Sequence, residues 1–206
     1  MELYQSNLKV AQAFHPLIGS LEVIIRNSIH HQLSSFFSDS DWIINQKSGF
    51  MSHSSLTYTC KKAGKTITNS YFLKSVTEAE QKLTKKGINI TSSKIISEQT
   101  FGFWTDFFES HHYKILRGRP IKIFKYLPRG YGRTEILNEL NRVRQFRNRI
   151  NHNEPICFTG SAIDFTNAIA VYASISSLIT WLDSELATWT GNFDDIKQTI
   201  AKAQTI

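Results

Sequence analysis

The chain has 206 residues, a formal charge of +7, a pI of about 9.4, 41% hydrophobic and 20% charged residues. That length holds one good-sized domain, or one domain with an inserted lobe, and the composition excludes a disordered chain. The basic balance favours a polyanion, such as nucleic acid or an acidic membrane surface, over a cationic partner, although a merely basic soluble protein has the same sum.

Only 4 prolines and 10 glycines are present, which suits long helices better than many tight turns. The two cysteines, Cys60 and Cys157, have neither CxxC nor metal-ligand spacing. They point to a reducing cytosol and leave a disulfide between them open. Residues 1–10 mix Glu2, Gln5, Asn7 and Lys9 with apolar residues, unlike a signal peptide. No run of about 18 apolar residues occurs, so no transmembrane helix is expected.

In chain order, residues 3–14 read as a short helix with Leu3, Leu8, Val10, Ala11 and Phe14 facing a core. His15-Pro16 breaks it. A second helix over 16–37 carries the stripe Leu17, Leu21, Ile24, Ile25, Ile29, Leu33 and Phe36. Glu22, Arg26 and His30 form a polar line along it, either as a surface ion pair or as support for a site further on. Residues 38–70 look irregular, anchored by Trp42, with a basic cluster at Lys61, Lys62 and Lys65. A polar helix from 69 or 70 to 86 ends at Gly87, and a short one follows over 91–99.

Five aromatics crowd Phe101 to Phe108. A core helix explains them better than a base-stacking box. Adjacent His111 and His112 do not share a helix face, which makes a joint metal site improbable. Lys114, Arg117, Arg119, Lys122, Lys125 and Arg129 then form a basic strip for RNA phosphates, with a solvated connector as the alternative. Helices are expected from Arg133 or Thr134 to about Asn151, over 161–189 after a turn at Gly160-Ser161, and over 193–203. The whole reads as an all-α bundle of about four main helices, with a less regular insert over about 38–130.

The chemistry concentrates in Arg147 to Ile156. The apolar steps of that helix run Ile136, Leu140, Val143, Ile150, and Arg147 occupies the position that would continue the stripe. A guanidinium there needs a partner or a cleft. Histidine moves protons near neutrality, and arginine matches phosphate oxygens, so Arg147 and His152 suit metal-free RNA cleavage. Asn148 and His152 share a helix face, while Arg147 lies about 140° from His152 on a regular helix. One straight helix therefore does not aim both at one phosphate. A bent helix end or a two-fold homodimer solves that. The competing readings are an Arg147–Glu22 pair in the core, His152 as a C-terminal cap and Glu154-Pro155 as a stop signal.

Arg147-Asn148 and His152 resemble the Rx4–6H signature of the HEPN superfamily. The string Phe146 to Ile156 (FRNRINHNEPI) is similar to the "LRNRIAHHEPI" block of the Abi-like family, which includes the AbiD and AbiF abortive-infection proteins. Leu21 to His30 (LEVIIRNSIH) resembles that family's "LEVALRNAIH" helix, and Thr100 to Trp104 (TFGFW) its "LTFGFW" block. Asn153 stands where the family often has a second histidine.

The resemblance implies an HEPN-like helical bundle and a cytoplasmic, metal-independent endoribonuclease without cofactor, its site formed across a homodimer. It would act as a toxin in phage defence or a toxin–antitoxin system, with RNA as substrate and a small non-coding RNA as antitoxin or guide partner, a protein antitoxin being the alternative. Arg147 would stabilise phosphate charge and His152 act as general acid and base, with Asn148 orienting either. Glu22, Arg26 and Asn153 would support them. The alternatives are a non-catalytic RNA-binding module and a protein-interaction domain.

Overall fold

The computed structural model describes residues 2–60, 64–159 and 162–205, without the side chains of Cys60 and Thr159. Helix accounts for 71% of the chain and strand for 5%, so the fold is all-α. The helices are α1 (Glu2–Phe37), α2 (Trp42–Asn45), α3 (Tyr71–Lys85), α4 (Ser92–Glu98), α5 (Phe101–Thr105), α6 (Ser110–Ile115), α7 (Arg133–Asn151), α8 (Thr166–Leu182), α9 (Ser184–Gly191) and α10 (Ile196–Ala203). Two antiparallel hairpins, β1 (Thr57–Cys60) with β2 (Lys65–Thr68) and β3 (Phe158–Thr159) with β4 (Ala162–Ile163), were not foreseen. The Lys61-Lys62 pair and the Gly160-Ser161 turn lie outside the described residues.

The chain divides into two compact units, one of Met1–Ile24 with Phe124–Ile206 and one of Ile25–Ile123. The first unit's core joins α1, α7, α8 and α10. Phe14 meets Phe146 edge-on with ring centroids 4.7 Å apart. Ile136, Leu140, Val143, Val171, Ile175, Leu178 and Ile196 are buried beside them. Arg142 ties α7 to α8 by donating to Ser174 Oγ at 2.9 Å while holding Glu139 at 2.8 Å.

Two helices predicted around His15-Pro16 are one. α1 runs through Pro16, although an interior proline costs about 3 kcal/mol relative to alanine. The gain is a shared buried face, with Val10, Phe14, Leu17, Ile18 and Leu21 all in the core. Burying side chains of that size is worth about 1.5–3 kcal/mol each, so packing outweighs the local preference. Leu3, Leu8 and Ala11 are only partly covered, and Ser6 and Asn7 are buried instead. By length and composition α1 also passes for a membrane span, a window of mean hydropathy 1.3 being 44% buried inside the protein. Isolated polar residues interrupt its sequence, so it contains no long unbroken apolar run.

The second unit centres on aromatic rings. Phe72 lies 4.3 Å from Phe107, Trp42 lies 6.0 Å from Phe107, and Phe103 and Trp104 are buried with them. The aromatic run at 101–108 is therefore core. It forms α5 and a 3-10 turn over Asp106–Phe108. His112 is fully buried against Phe72, with ring centroids 4.3 Å apart. The predicted helix over 161–189 is two, because Asp183 leaves helical backbone (φ −164°) and caps α9 by accepting from Glu185 N–H at 3.0 Å.

His30 has a partner of its own within the second unit. Its Nδ1 accepts from Trp42 Nε1 at 3.1 Å, a bond only the neutral ring makes. Burial, and then the neighbouring His31, push the His30 pKa down. The unfolded chain therefore binds this proton more readily, and the contribution of neutral His30 to stability is lost as pH falls below about 6.5. His30→Gln keeps an acceptor and removes the titration. Its denaturation midpoint between pH 7 and pH 5 should fall less than that of the wild type. An equal fall in both proteins would remove His30 as a source of acid sensitivity.

Candidate active site

The apolar stripe of α7 is continuous. Phe146, 1% exposed, fills the position between Val143 and Ile150 that the sequence reading gave to Arg147. Steps of four, three, three and four residues keep the stripe on one face. Arg147 sits on its shoulder, its side chain 31% exposed.

Two groups hold the guanidinium. Glu22 Oε2 lies 3.6 Å from Nη2, an ion pair beyond hydrogen-bond length. The Asn151 amide, one turn along α7, accepts from Nη1 at 3.1 Å and Nε at 3.2 Å when its oxygen faces the arginine. A guanidinium carries five N–H donors, so this arrangement fixes its plane and leaves Nη protons for another acceptor. Asn151 was not among the sequence candidates. Its i,i+4 spacing from Arg147 was the available signal. The Arg147–Glu22 pairing is the one foreseen as a structural alternative, but it forms at the edge of the core.

His152 is exposed and is the C-cap of α7 (φ −93°, ψ 8°). Its N–H still donates to Asn148 O at 3.0 Å. The helix thus keeps its register as far as His152, contrary to the bend that would have brought the histidine round to Arg147. Asn148 and His152 share an exposed face, and Arg147 points elsewhere by about 140°.

Beyond His152 the backbone closes tightly. Asn153 is left-handed (φ 55°). Its N–H donates to Ile150 O at 3.0 Å and the Glu154 N–H to Arg149 O at 2.9 Å, the paired bonds of a Schellman ending. Gly87 (φ 66°) ends α3 by the same two bonds, to Thr84 O at 2.9 Å and from Ile88 to Leu83 O at 3.0 Å. Asparagine tolerates this backbone where most residues do not. An ion pair between Arg149 Nε and Glu154 Oε2 at 3.5 Å spans the closure, and Arg149 Nη2 donates to Pro155 O. Two residues further, buried Asn7 Oδ1 accepts from Ile156 N at 2.8 Å and from Cys157 Sγ at 3.2 Å. Cys157 is a free thiol whose pKa burial pushes up. Asn7 interrupts the α1 stripe of Leu3, Val10 and Phe14, and that interruption was its sequence signal.

The other candidates are spread out. Arg26 is half-buried on α1 within the second unit. Lys114, Arg117 and Lys122 are exposed in the second unit, whereas Lys125 and Arg129 are exposed in the first. Arg119 lies over the Phe36 ring, 5.0 Å from its centroid, and is half-buried. Lys125 pairs with Asp183 at 3.2 Å, whose carboxyl is held low first by Glu185 N–H and then by this lysine. The strip is therefore not six equivalent free cations, because two side chains have local partners.

Asn153→Val places a β-branched residue in left-handed backbone, at a cost of about 1–2 kcal/mol. For a chain of this size the thermal midpoint should drop by roughly 2–8 °C, while Asn153→Gly should match or exceed the wild type. A valine variant as stable as the glycine variant would mean that the Schellman closure does not hold the His152 turn.

No family model, curated protein or solved structure matches this chain.

Proposed function

We propose that the protein is a metal-independent endoribonuclease of the HEPN type, resembling Abi-like abortive-infection proteins, and that it works in the cytoplasm as a toxin restrained by a partner such as a small RNA. The observation that carries the reading is Arg147. Glu22 and Asn151 orient its guanidinium at the protein surface, 31% of the side chain stays exposed, and N–H donors remain for a phosphate oxygen. Exposed His152, on the same segment, supplies an imidazole for proton transfer.

RNA cleavage of this kind needs a proton taken from the ribose 2′-hydroxyl, a proton given to the departing 5′-oxygen, and donors for the charge on the phosphate. In one chain the two side chains diverge, because α7 stays helical to His152. Two copies related by a two-fold axis bring Arg147 of one beside His152 of the other. Asn148 and His152 are exposed on one face and Asn151 beside Arg147, which leaves both faces available for pairing. Asn148, exposed on the His152 face, is assigned the role of orienting the histidine or the arginine. Arg26 lies in the other unit.

A non-catalytic RNA-binding module is the second reading. It is favoured by the Asn151 oxygen, which already takes two N–H groups of the Arg147 fork, Nη1 and Nε.

Wild type, His152→Ala and Arg147→Lys should be incubated with RNA in EDTA. The wild type should leave 2′,3′-cyclic phosphate ends, and His152→Ala should be slower by about 10²-fold or more. Lysine cannot reproduce the fork, so Arg147→Lys should also be impaired. Equal cleavage by wild type and His152→Ala would overturn the assignment.

A further inference from the structure

The charge of the chain is segregated. Residues Ile25–Ile123 hold 14 Lys and Arg against 7 Asp and Glu, whereas the other unit holds 10 against 10. The whole +7 excess therefore belongs to the second unit, and the Arg147 motif sits in the neutral one. Part of the second unit's charge is locally matched. Lys47 pairs with Glu80 at 2.6 Å, Lys74 with Glu78 at 3.8 Å, and Lys82 with Glu98. Lys65 and Lys114 are exposed and have no carboxylate partner among the described residues.

The β1–β2 hairpin stands beside these cations. Its register pairs Thr57 with Thr68, Tyr58 with Ile67 and Cys60 with Lys65. Side chains alternate along a strand, so one face carries Tyr58, Lys65 and Ile67 and the other four threonines. Thr57 and Thr68 join across that second face at 2.9 Å. On the first face Tyr58 lies flat on His111 of α6, ring centroids 4.6 Å apart and planes 14° from parallel. Tyr58 remains 37% exposed and Ile67 40%. Lys114 follows His111 by three residues and lies on the same side of α6. Buried His112, its neighbour, belongs to the core.

Tyr58 and Ile67 thus present apolar surface to solvent on the face that also carries Lys65. Flat aromatic faces flanked by cations, without a closed pocket, suit unpaired bases joined by phosphates. A duplex hides its base faces and offers only its phosphates.

From these observations we infer that the Tyr58–His111 stack, with Ile67, Lys65 and Lys114, is a docking platform for single-stranded RNA in the second unit. Tyr58 stacks a base, His111 stiffens Tyr58 from beneath, and the two lysines take flanking phosphates. The platform deepens the ribonuclease reading by assigning substrate capture to a unit other than the one that holds Arg147, yet binding is measurable whether or not the protein cleaves.

The test uses the full chain carrying His152→Ala, in EDTA, with a fluorescein-labelled 20-nucleotide single-stranded RNA and the same sequence as a duplex. Binding is followed by anisotropy. Tyr58→Ala should weaken single-strand binding about 5- to 100-fold and Tyr58→Phe should preserve it. Lys65→Gln with Lys114→Gln should lower the slope of log affinity against log salt by about 1.4. If Tyr58→Ala loses its helical circular dichroism, His111→Ala carries the same expectation. Unchanged affinity in folded Tyr58→Ala or His111→Ala overturns the platform, as do preference for the duplex and failure of the RNA to bind. Loss of the platform with wild-type cleavage intact leaves the nuclease reading standing. Tyr58-dependent binding without any cleavage by wild type does the reverse.

Discussion

Asn153 turns the backbone left-handed, and the two hydrogen bonds that close over it hold α7 in helical register as far as His152. The rest of the candidate site follows from that closure. It fixes where the histidine leaves the helix, and it keeps Arg147 and His152 on different faces. Arg149 and Glu154 clasp the closure, while buried Asn7 anchors Ile156 and Cys157 just beyond it. A segment that reads as a string of polar residues thus divides its labour. Arg149, Asn153 and Asn7 set the backbone, Glu22 and Asn151 set the guanidinium, and Arg147, Asn148 and His152 are left at the surface.

This division changes the meaning of the motif. A half-buried arginine between a carboxylate and an amide is an ordinary structural device, and surface ion pairs contribute little to stability. Its interest lies in the donors it leaves free and in their fixed direction. Preorganised donors are what a phosphate with growing negative charge needs. The same geometry denies one chain a complete constellation, so two-fold pairing is a requirement of the proposed chemistry. The segregation of charge adds a second separation. Long-range attraction for a polyanion resides in Ile25–Ile123, whereas the groups suited to proton transfer reside in the neutral unit.

Much of the helical layout was legible in the sequence. The α7 limits and the end of α3 at Gly87 followed from periodicity and from glycine's backbone freedom. Other features depend on tertiary packing and could not be read locally. Pro16 reads as a break, yet the buried face on either side of it carries α1 through. Phe146 completes the α7 stripe by a step of three where the regular alternation of four and three points to Arg147. The β1–β2 hairpin lies in a Ser- and Thr-rich stretch whose pattern does not alternate between apolar and polar, and its exposed strands give no hydrophobic period. Asn7 and Asn151 act across a fold or a helical turn, so their partners emerge only in three dimensions. The Arg147–His152 spacing, by contrast, implied divergent faces from helix geometry alone.

The central claim is that one copy supplies the arginine and another the histidine, and complementation between inactive variants tests it most directly. Arg147→Ala and His152→Ala, each inactive alone, are unfolded together, refolded and assayed on RNA in EDTA. Mixed dimers contain one site with both residues intact, so random pairing should restore roughly a quarter of wild-type activity. A mixture as inactive as its parents, alongside an active wild type and demonstrated subunit exchange, would contradict the shared site.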